Sequence, residues 1–167
     1  ETTEESILVA ACIQGDKAAQ YQFYQRFSPI LFAICKRYAG DEDSAKDMFQ
    51  EAMIKIFQKL NDFRFEGSLE GWLKRVCVNQ CLDALKKSKA KFQESLSDIH
   101  SNLPSESNII SDINVKNLMQ LLSKLPVGYR TVFNLFAIEG YSHAEIASLL
   151  NITENTSKSQ MFKARKW

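Results

Sequence analysis

Residues 140–158 read GYSHAEIASLLNITENTSK, and this stretch decides the fold of the carboxyl-terminal third of the chain. It contains a short apolar helical pattern, a polar turn and the start of a second helical pattern, which continues as SQMFKARKW to Trp167. Ser142 followed by Glu145 is the pattern of a capping box, and Thr153 is a typical N-cap residue for the second helix. Two helices joined by so short a turn, the second one basic, predict a helix-turn-helix.

The turn and the contact between these two helices need particular residues. Asn151 tolerates the left-handed backbone that the turn requires, and Ala147 is small enough for the point where the helices touch. Ser157 falls where an aliphatic core residue is expected. The second helix presents short polar side chains suited to base edges and cations suited to phosphates. We expect these outward residues to be Glu154, Asn155, Thr156, Lys158, Ser159, Gln160 and Lys163.

The composition is that of one or two small all-helical domains. The 167 residues are 45% hydrophobic and 25% charged, which excludes disorder throughout. Eleven Phe and five Tyr supply a core, whereas six Gly and three Pro leave few turns, so helices are favoured over sheets. Four Cys lie among apolar neighbours, without a secreted-type framework. Because no stretch approaches the roughly twenty apolar residues of a membrane span, we expect a cytoplasmic protein without membrane insertion.

Apolar residues recur at helical spacing through the amino half and predict four helices in a compact bundle, with a restart or bend at Pro29. Residues 74–91 hold six basic residues against one acidic residue. Over 92–112 the periodicity stops and the charged residues are four acids, which indicates a flexible linker. The predicted fold is therefore all-α, with a helical domain over 5–91, an acidic linker and a helix-turn-helix domain over 113–167.

The carboxyl-terminal stretch LPVGYRTVFNLFAIEGYSHAEIASLL, followed by TSKSQMFKAR, resembles the promoter-binding domain of bacterial RNA polymerase sigma factors of the sigma-70 family, extracytoplasmic-function type. Family members commonly carry GTVKSR in the recognition helix, where this chain reads NTSKSQ and has Asn155 in place of Gly. The resemblance implies that this domain binds the minus-thirty-five duplex, and that Ser142, Thr153 and Arg165 join the outward residues as DNA contacts.

Residues 41–87, DEDSAKDMFQEAMIKIFQKLNDFRFEGSLEGWLKRVCVNQCLDALKK, resemble the sigma-factor module that binds polymerase and opens the promoter. Asp47, Gln50 and Glu51 share one side of a helix because of their three- and four-residue spacing. Such a side accepts hydrogen bonds and ion pairs, although a merely solvated acidic face has the same spacing. The resemblance implies that these residues bind the clamp coiled coil of the largest subunit of core RNA polymerase, and that the factor also contacts the polymerase flap.

The loop NDFRFEGS carries two aromatic residues, and a third follows at Trp72. Opening DNA costs stacking and pairing energy, which aromatic rings offset by stacking on freed bases at roughly 1–3 kcal/mol each. At helical spacing with Val76, Trp72 is more typical of a core residue. The resemblance implies that the loop holds a flipped base of the minus-ten element and that the following helix contacts the non-template strand. The predicted minus-ten contacts are Phe63, Arg64, Phe65, Glu66, Gly67, Ser68, Trp72, Lys74, Arg75, Asn79, Lys86 and Lys87.

No pattern of residues predicts catalysis or a cofactor. Neither His100 nor His143 belongs to a Cys–His constellation. Cys77 and Cys81 lie four apart on one predicted helix, but no further ligand has suitable spacing, so we predict no metal site. Phosphate-binding glycine loops and nucleophile elbows are absent. The prediction is a transcription initiation factor that directs polymerase to promoters, not an enzyme.

Two other classes of protein fit part of the pattern. An autonomous helix-turn-helix regulator with a helical sensor or dimerisation domain would share the carboxyl-terminal helix pair, but it has no need of the acid-amide face or of the aromatic loop. A helical adaptor without a DNA partner has no need of the two basic blocks. The resemblance further implies an inhibitory anti-sigma partner, and a recognition helix that in related sequences runs several residues beyond the position of Trp167.

Overall fold

The structure is a computed structural model, and it describes residues 3–88, 92–94, 96 and 115–167. Within these ranges every regular element is a helix and no strand is present, so the predicted all-α class is confirmed. None of the helices in the described part of the chain has both the length and the apolar character that a membrane crossing requires.

The first unit, residues 1–84, is the predicted helical bundle. The first three helices begin at polar N-caps, Thr3, Asp16 and Asp41, whose side-chain oxygens accept a hydrogen bond from the backbone three residues on. Gly40 ends the second helix at a φ of 83°, which glycine adopts without steric cost. The elements are α1 (Glu4–Ile13), α2 (Lys17–Ala39), α3 (Glu42–Lys59), a 3₁₀ turn (Leu60–Asp62) and α4 (Leu69–Lys87), whose last turn lies beyond the unit boundary.

Helix α2 runs without interruption through Pro29, where the sequence predicts a restart or bend. Proline has no N–H, so its presence removes one helical hydrogen bond. Phe27 and Leu31 on either side of it are 4% and 0% exposed. Because tertiary packing supplies most of the stability of a helix in a protein, the burial of this inner face keeps the helix continuous.

Helices α2, α3 and α4 each bury one apolar stripe. The Phe23 ring lies 4.9 Å from the Phe27 ring and 5.3 Å from the Phe57 ring, measured between centroids. A fully buried Leu, Ile or Phe contributes about 1.5–3 kcal/mol, so this core fixes the rotation of each helix about its axis. The remaining core of the three helices includes Leu31, Ile34, Cys35, Tyr38, Ala45, Ala52, Ile56, Leu69, Leu73, Cys77 and Cys81.

The second unit, residues 85–167, contains the predicted helix-turn-helix. Arg130 is 7% exposed, and its Nη1 donates to the carbonyl oxygens of Leu125 at 3.1 Å and Ser123 at 3.4 Å. These bonds fix the turn between Lys124 and Val127, which joins two helices of the unit beside the buried ring of Tyr129. The elements are α5 (Val115–Lys124), α6 (Val127–Phe133), a π-helical turn (Asn134–Ile138), α7 (His143–Leu150) and α8 (Glu154–Lys166).

The start of the predicted linker 92–112 differs from the expectation. Residues 92–94 and 96 are helical, and Phe92 and Leu96 are 4% and 1% exposed. Since they lie four residues apart, both fall on one helical face, and this short apolar pattern is enough to bury them in the second unit. The other residues of the predicted linker lie outside the described residues.

The helix-turn-helix predicted from the sequence is formed by α7 and α8. The Ser142 hydroxyl accepts from the Glu145 N–H, and the Glu145 carboxylate accepts from the Ser142 N–H, which completes the capping box. Asn151 has a φ of 54° and a ψ of 50°, in the left-handed region. Thr153 caps α8 by accepting from the Thr156 N–H at 3.1 Å. The predicted caps and turn residue are confirmed.

The inner face of α8 is partly polar. Ser157, Gln160 and Met161 are 0%, 2% and 4% exposed. The expectation that Gln160 faces outward is corrected, because its Nε2 donates to the carbonyl oxygen of Leu96 at 2.5 Å. Three- and four-residue steps place Ser157, Gln160 and Ala164 on one helical face, so the register of α8 turns Gln160 inward.

Ser157 is buried together with a polar partner. Its Oγ lies 2.8 Å from the Nδ1 of His143, whose ring stacks on Phe136 with centroids 4.4 Å apart and planes inclined by 14°. Burial lowers the pKa of His143, and the positive charges of Lys158 and Arg165 lower it further. The folded domain therefore favours the neutral imidazole.

Replacing the turn residue tests the left-handed backbone. Asn151→Ala should reduce the free energy of unfolding by about 1 kcal/mol, whereas Asn151→Gly should change it by less than about 0.5 kcal/mol, because only glycine lacks the Cβ that crowds this conformation. Asn155→Ala, at an exposed position in α8, is the matched control and should not destabilise. Urea unfolding of the full chain measures the stability of all three variants. Equal losses of stability in Asn151→Ala and Asn155→Ala would contradict a requirement for left-handed backbone at Asn151.

Acid should destabilise the second unit through His143. Because the pKa of His143 is lowered in the folded state, the unfolded chain takes up the proton first, near the ordinary value of about 6.5. The free energy of unfolding should then fall as the pH drops from about 7 to about 5. The negative charge of Glu154 raises the pKa of His143, but burial lowers that pKa by more. The measurement compares urea unfolding of the wild type and His143→Asn at each pH, and a difference that stays constant would refute the prediction.

Candidate nucleic-acid interface

An open cavity of about 530 Å³ lies between the turn after α3 and the start of α4. Small-molecule sites typically have volumes of roughly 300–1,000 Å³, so the space is adequate for a nucleobase. The cavity falls on the loop that the sequence assigns to a flipped base, and Asp62 and Gly71 are additions to the predicted residues. It is lined by Asp62, Phe63, Arg64, Glu66, Gly67, Ser68, Gly71, Trp72 and Arg75. We call it the loop cavity.

Three aromatic rings meet at this loop. The Phe63 ring lies 4.6 Å from the Phe65 ring and 5.5 Å from the Trp72 ring, measured between centroids. Phe63 is only 9% exposed, which corrects the expectation that its face is open to a base. The preceding 3₁₀ turn, in which the Phe63 N–H donates to Leu60, directs this side chain inward. Phe65 is 49% exposed and Trp72 is half-buried, so these two rings supply the open faces.

The backbone of Phe65 has an unusual conformation. Its φ is 57°, in the left-handed region where a bulky residue is a rare outlier. Such a conformation costs on the order of 1–3 kcal/mol and is typical of binding and switch segments. Since the ring is half exposed, burial does not offset the whole cost.

The first turn of α4 has a crowded cap. The Ser68 Oγ accepts from the Gly71 N–H at 3.1 Å, and a Cβ added at Gly71 would lie 2.8 Å from that oxygen. Trp72, Arg75 and Asn79 follow Ser68 at steps of four, three and four residues, so they share one helical face. Arg75 and Asn79 are exposed on it.

The other predicted minus-ten residues differ in solvent exposure and in whether their charge is paired. Lys74 is half-buried, and its Nζ lies 2.6 Å from the Glu70 Oε1, an ion pair of little net stability at such an exposed site. Lys86 is half-buried and Lys87 is exposed at the end of α4. The remaining loop residues are exposed, namely Arg64, Glu66, Gly67 and Ser68.

The predicted polymerase-binding residues lie on the outer side of α3. Asp47, Gln50 and Glu51 are all exposed, and Glu51 accepts a hydrogen bond from the Gln80 Nε2 at 2.8 Å. Ile54 lies on the same side and is 55% exposed. The sequence prediction missed Ile54, although an apolar residue in register with three polar ones was a visible signal. We call these four residues the acid-amide face.

Most of the predicted minus-thirty-five residues are accessible on and around α8. Thr156 is half-buried, with its Oγ1 2.9 Å from that of Thr153. Lys163 is half-buried, with its Nζ 5.8 Å from the centroid of the Tyr129 ring. Gln160 is buried, as described above. The exposed residues are Ser142, Thr153, Glu154, Asn155, Lys158, Ser159 and Arg165.

A cluster of three cysteines lies in the core of the first unit, away from these surfaces. The Sγ of Cys35 in α2 lies 3.6 Å from that of Cys77 and 3.8 Å from that of Cys81, both in α4. The sequence prediction found no third ligand because Cys35 is 42 residues from Cys77 and only folding brings them together. Hydrogen bonding with the Cys77 and Cys81 thiols lowers the pKa of Cys35, and the same contacts raise the pKa of Cys77 and Cys81.

Two family models match the chain, one mainly in the first unit and one in the second. Sigma-70 region 2 matches residues 23–91, which include most of α2, all of α3 and α4, and the loop cavity. Sigma-70 region 4 matches residues 116–167, which include the helix-turn-helix. The order of the two regions is the order predicted from the sequence.

Relatives align along nearly the whole chain. SigM of Mycobacterium tuberculosis (strain H37Rv), an ECF RNA polymerase sigma factor, is 30% identical over 158 residues, which are 95% of this chain and 79% of SigM. SigW of Bacillus subtilis (strain 168), another ECF sigma factor, is 26% identical over 92% of this chain and 88% of its own length.

The fold has a counterpart among solved structures. The sigma factor RpoE of Bartonella quintana, in its co-crystal structure with the anti-sigma factor NepR, aligns with a TM-score of 0.50 and 21% identity. The alignment covers 87% of this chain and 91% of RpoE, and it supports the fold alone. Together, the two family matches and the relatedness to SigM establish that the chain belongs to the extracytoplasmic-function sigma factors of the sigma-70 family, transcription initiation factors that direct RNA polymerase to specific promoters.

Proposed function

We propose that this sigma factor works through three surfaces. The loop cavity and the outer face of α4 take the minus-ten element, the acid-amide face of α3 binds core RNA polymerase, and the outer face of α8 binds the minus-thirty-five duplex. The observation that carries the proposal is the loop cavity, where aromatic rings, polar side chains and the guanidinium groups of Arg64 and Arg75 surround a space of about 530 Å³.

A flipped base needs an aromatic face, a hydrogen-bonding edge and a cation near its phosphate. Trp72 offers a half-buried ring in the cavity lining, and Phe65 offers an exposed ring beside the cavity, next to the lining ring of Phe63. The exposed carboxylate of Glu66 accepts hydrogen bonds. Arg64 and Arg75 supply positive charge at the rim. Each stacked base contributes roughly 1–3 kcal/mol, which is comparable with the few kcal/mol needed to unstack and unpair one step. Capture of a base therefore offsets the cost of opening the duplex.

The outer face of α4 extends this binding surface along the single strand. Asn79 lies one turn beyond Arg75 and offers both a donor and an acceptor to a base edge. Lys86 and Lys87 provide charge for phosphates further along the helix. Lys74 is paired with Glu70, but because this exposed pair is weak, its ammonium can also meet a phosphate.

The acid-amide face suits a basic helical partner with some apolar surface. Asp47 and Glu51 offer negative charge, Gln50 offers donors and an acceptor, and Ile54 is an apolar anchor among them. The bond from Gln80 holds the Glu51 carboxylate before any partner arrives, which reduces the entropy lost on binding. We assign this face to the clamp coiled coil of the largest polymerase subunit, and we expect the polymerase flap as a further contact.

The outer face of α8 fits the major groove of duplex DNA. Asn155 and Ser159 are short exposed side chains suited to base edges. Arg165 is exposed further along the helix, and Lys158 is only loosely paired, with its Nζ 3.9 Å from Glu154, so both can meet phosphates. Gln160 is no longer part of the proposed set, because its side chain is buried.

An anti-sigma protein is the inhibitory partner that we propose. The Bartonella RpoE structure contains such a protein, NepR, bound to a sigma factor of the same fold. In this chain the half-exposed Ile54, surrounded by acidic and amide groups, gives an inhibitor with a basic amphipathic helix a surface on which it would compete with polymerase.

Removing the polar groups of the acid-amide face should weaken polymerase binding without unfolding the chain. The double variant Asp47→Ala and Gln50→Ala should raise the Kd for purified core polymerase about tenfold or more, because two interface side chains are lost. Glu42→Ala is the matched control, since Glu42 is exposed on the same helix but points about 140° away from Asp47. Equal binding by the double variant and the control would remove this face from the interface.

Phe65→Gly separates the role of the ring from that of the backbone. Glycine accepts a φ of 57° without strain, so the free energy of unfolding should stay the same or rise by about 1 kcal/mol. Promoter opening should fall about 5- to 150-fold, because one base stack is lost. The assay is permanganate reactivity of a promoter selected from a random library with core polymerase. Phe65→Tyr, which keeps the ring, should open it normally, and normal opening by Phe65→Gly would contradict the assignment.

A further inference from the structure

The three-cysteine cluster takes no part in any of the surfaces proposed above. We propose that Cys35, Cys77 and Cys81 form an all-sulfur, three-coordinate binding site for a soft monovalent metal ion, Cu(I). The site joins α2 to α4 inside the core of the first unit, and it is independent of the proposed roles in promoter and polymerase binding.

The spacing of the sulfur atoms already matches a shared metal ion. All three Sγ atoms lie within 4.8 Å of one another, and two of the separations are 3.6 Å and 3.8 Å. With metal–sulfur bonds of about 2.3 Å, the sulfurs of a planar three-coordinate site lie about 4.0 Å apart. An ion at the centre of the triangle therefore requires only small side-chain movements.

The number and kind of ligands favour Cu(I) over zinc. Structural zinc takes four ligands, whereas no His, Asp or Glu among the described residues joins these three cysteines. All three residues are 0% exposed, so a water molecule from solvent is not at hand as a fourth ligand. Soft thiolate ligands select soft ions, of which Cu(I) is stable with three sulfurs and no other donor.

A disulfide explains the cluster less well. The sulfurs of a disulfide lie about 2.05 Å apart, so the Cys35 and Cys77 atoms, now 3.6 Å apart, would have to approach by about 1.5 Å within a packed core. Such a bond would also leave Cys81 without a role. A metal ion can be coordinated by all three sulfur atoms close to their present positions.

Charge at the site is partly balanced. Binding of Cu(I) is redox-neutral: the copper stays Cu(I), the sulfurs are not oxidised, and the protons displaced from coordinating thiols pass to the solvent. The guanidinium of Arg37, two residues from Cys35 and half-buried, acts electrostatically on Cys77. It offsets part of the negative charge that deprotonated thiols bring into the core.

The site can be tested on the whole reduced chain without polymerase or DNA. Metal-free protein is titrated, under anaerobic conditions, into the coloured Cu(I) complex of bathocuproine disulfonate. We expect one Cu(I) per chain to leave the chelator, X-ray absorption to show three sulfurs at about 2.3 Å, and the Tm to rise by roughly 5–10 °C because the ion binds only the folded bundle.

Variants identify the ligands, and Cys12 provides the control. Cys35→Ala, Cys77→Ala and Cys81→Ala should each lose most of the Cu(I) transfer and the Tm rise. Cys12→Ala should keep both, since Cys12 is also buried but lies in α1 outside the cluster. Helical circular dichroism checks that each variant is folded. If a variant is unfolded, the number of sulfur ligands that X-ray absorption finds around copper in the wild type tests the proposal in its place.

Several results would overturn the proposal. These are no transfer of Cu(I) from the chelator, equal transfer by a folded Cys35→Ala, or a copper shell containing nitrogen or oxygen. Displacement of Cu(I) by equimolar Zn(II) would also overturn it. A mass loss of about 2 Da on treatment with diamide, without any Cu(I) binding, would instead identify a dithiol pair. None of these outcomes bears on promoter recognition, so a failure here leaves the proposed function intact.

Discussion

The packing of α2, α3 and α4 on one another determines what the first unit can present to its partners. Once Leu31, Ile56 and Leu73 are buried, the helical period leaves no freedom in which residues face outward. Asp47 and Arg75 are displayed because their helices cannot rotate without exposing apolar surface. The binding surfaces of this unit are thus a geometric result of its core, and a loosened core would disturb both of them together.

In the second unit, two polar side chains on the inner face of α8 add to the apolar core in fixing the rotation of that helix. Ser157 and Gln160 occupy positions where aliphatic residues are the usual choice, and each has a specific hydrogen-bond partner in His143 and Leu96. A buried hydrogen bond is directional, whereas an apolar contact is not, and an unmade one costs roughly 1–3 kcal/mol. These bonds therefore favour one rotation of α8, the one that turns Asn155 and Ser159 toward solvent.

The sequence predicted the features that depend on residues close together in the chain. The capping box at Ser142, the left-handed Asn151 and the outer side of α3 all follow from spacings of three or four residues. It could not predict the approach of Cys35 to Cys77, because that contact depends on how two helices pack. The inward turns of Phe63 and Gln160 were missed for a related reason: polar or aromatic character indicates what a side chain can bind, and the local backbone decides where it points.

Gly71 limits how the entrance of the loop cavity can vary. Any side chain there would press against the Ser68 hydroxyl, only 2.8 Å from the added carbon, and would compete with the bond that starts α4. Direct substitution at this position would therefore disturb the start of α4 before it could alter base preference. Arg64 and Glu66 also line the cavity, and both side chains are exposed, so substitutions there can alter base preference without this steric conflict. Among related proteins with different promoter sequences, we therefore expect these two positions to vary while the glycine is retained.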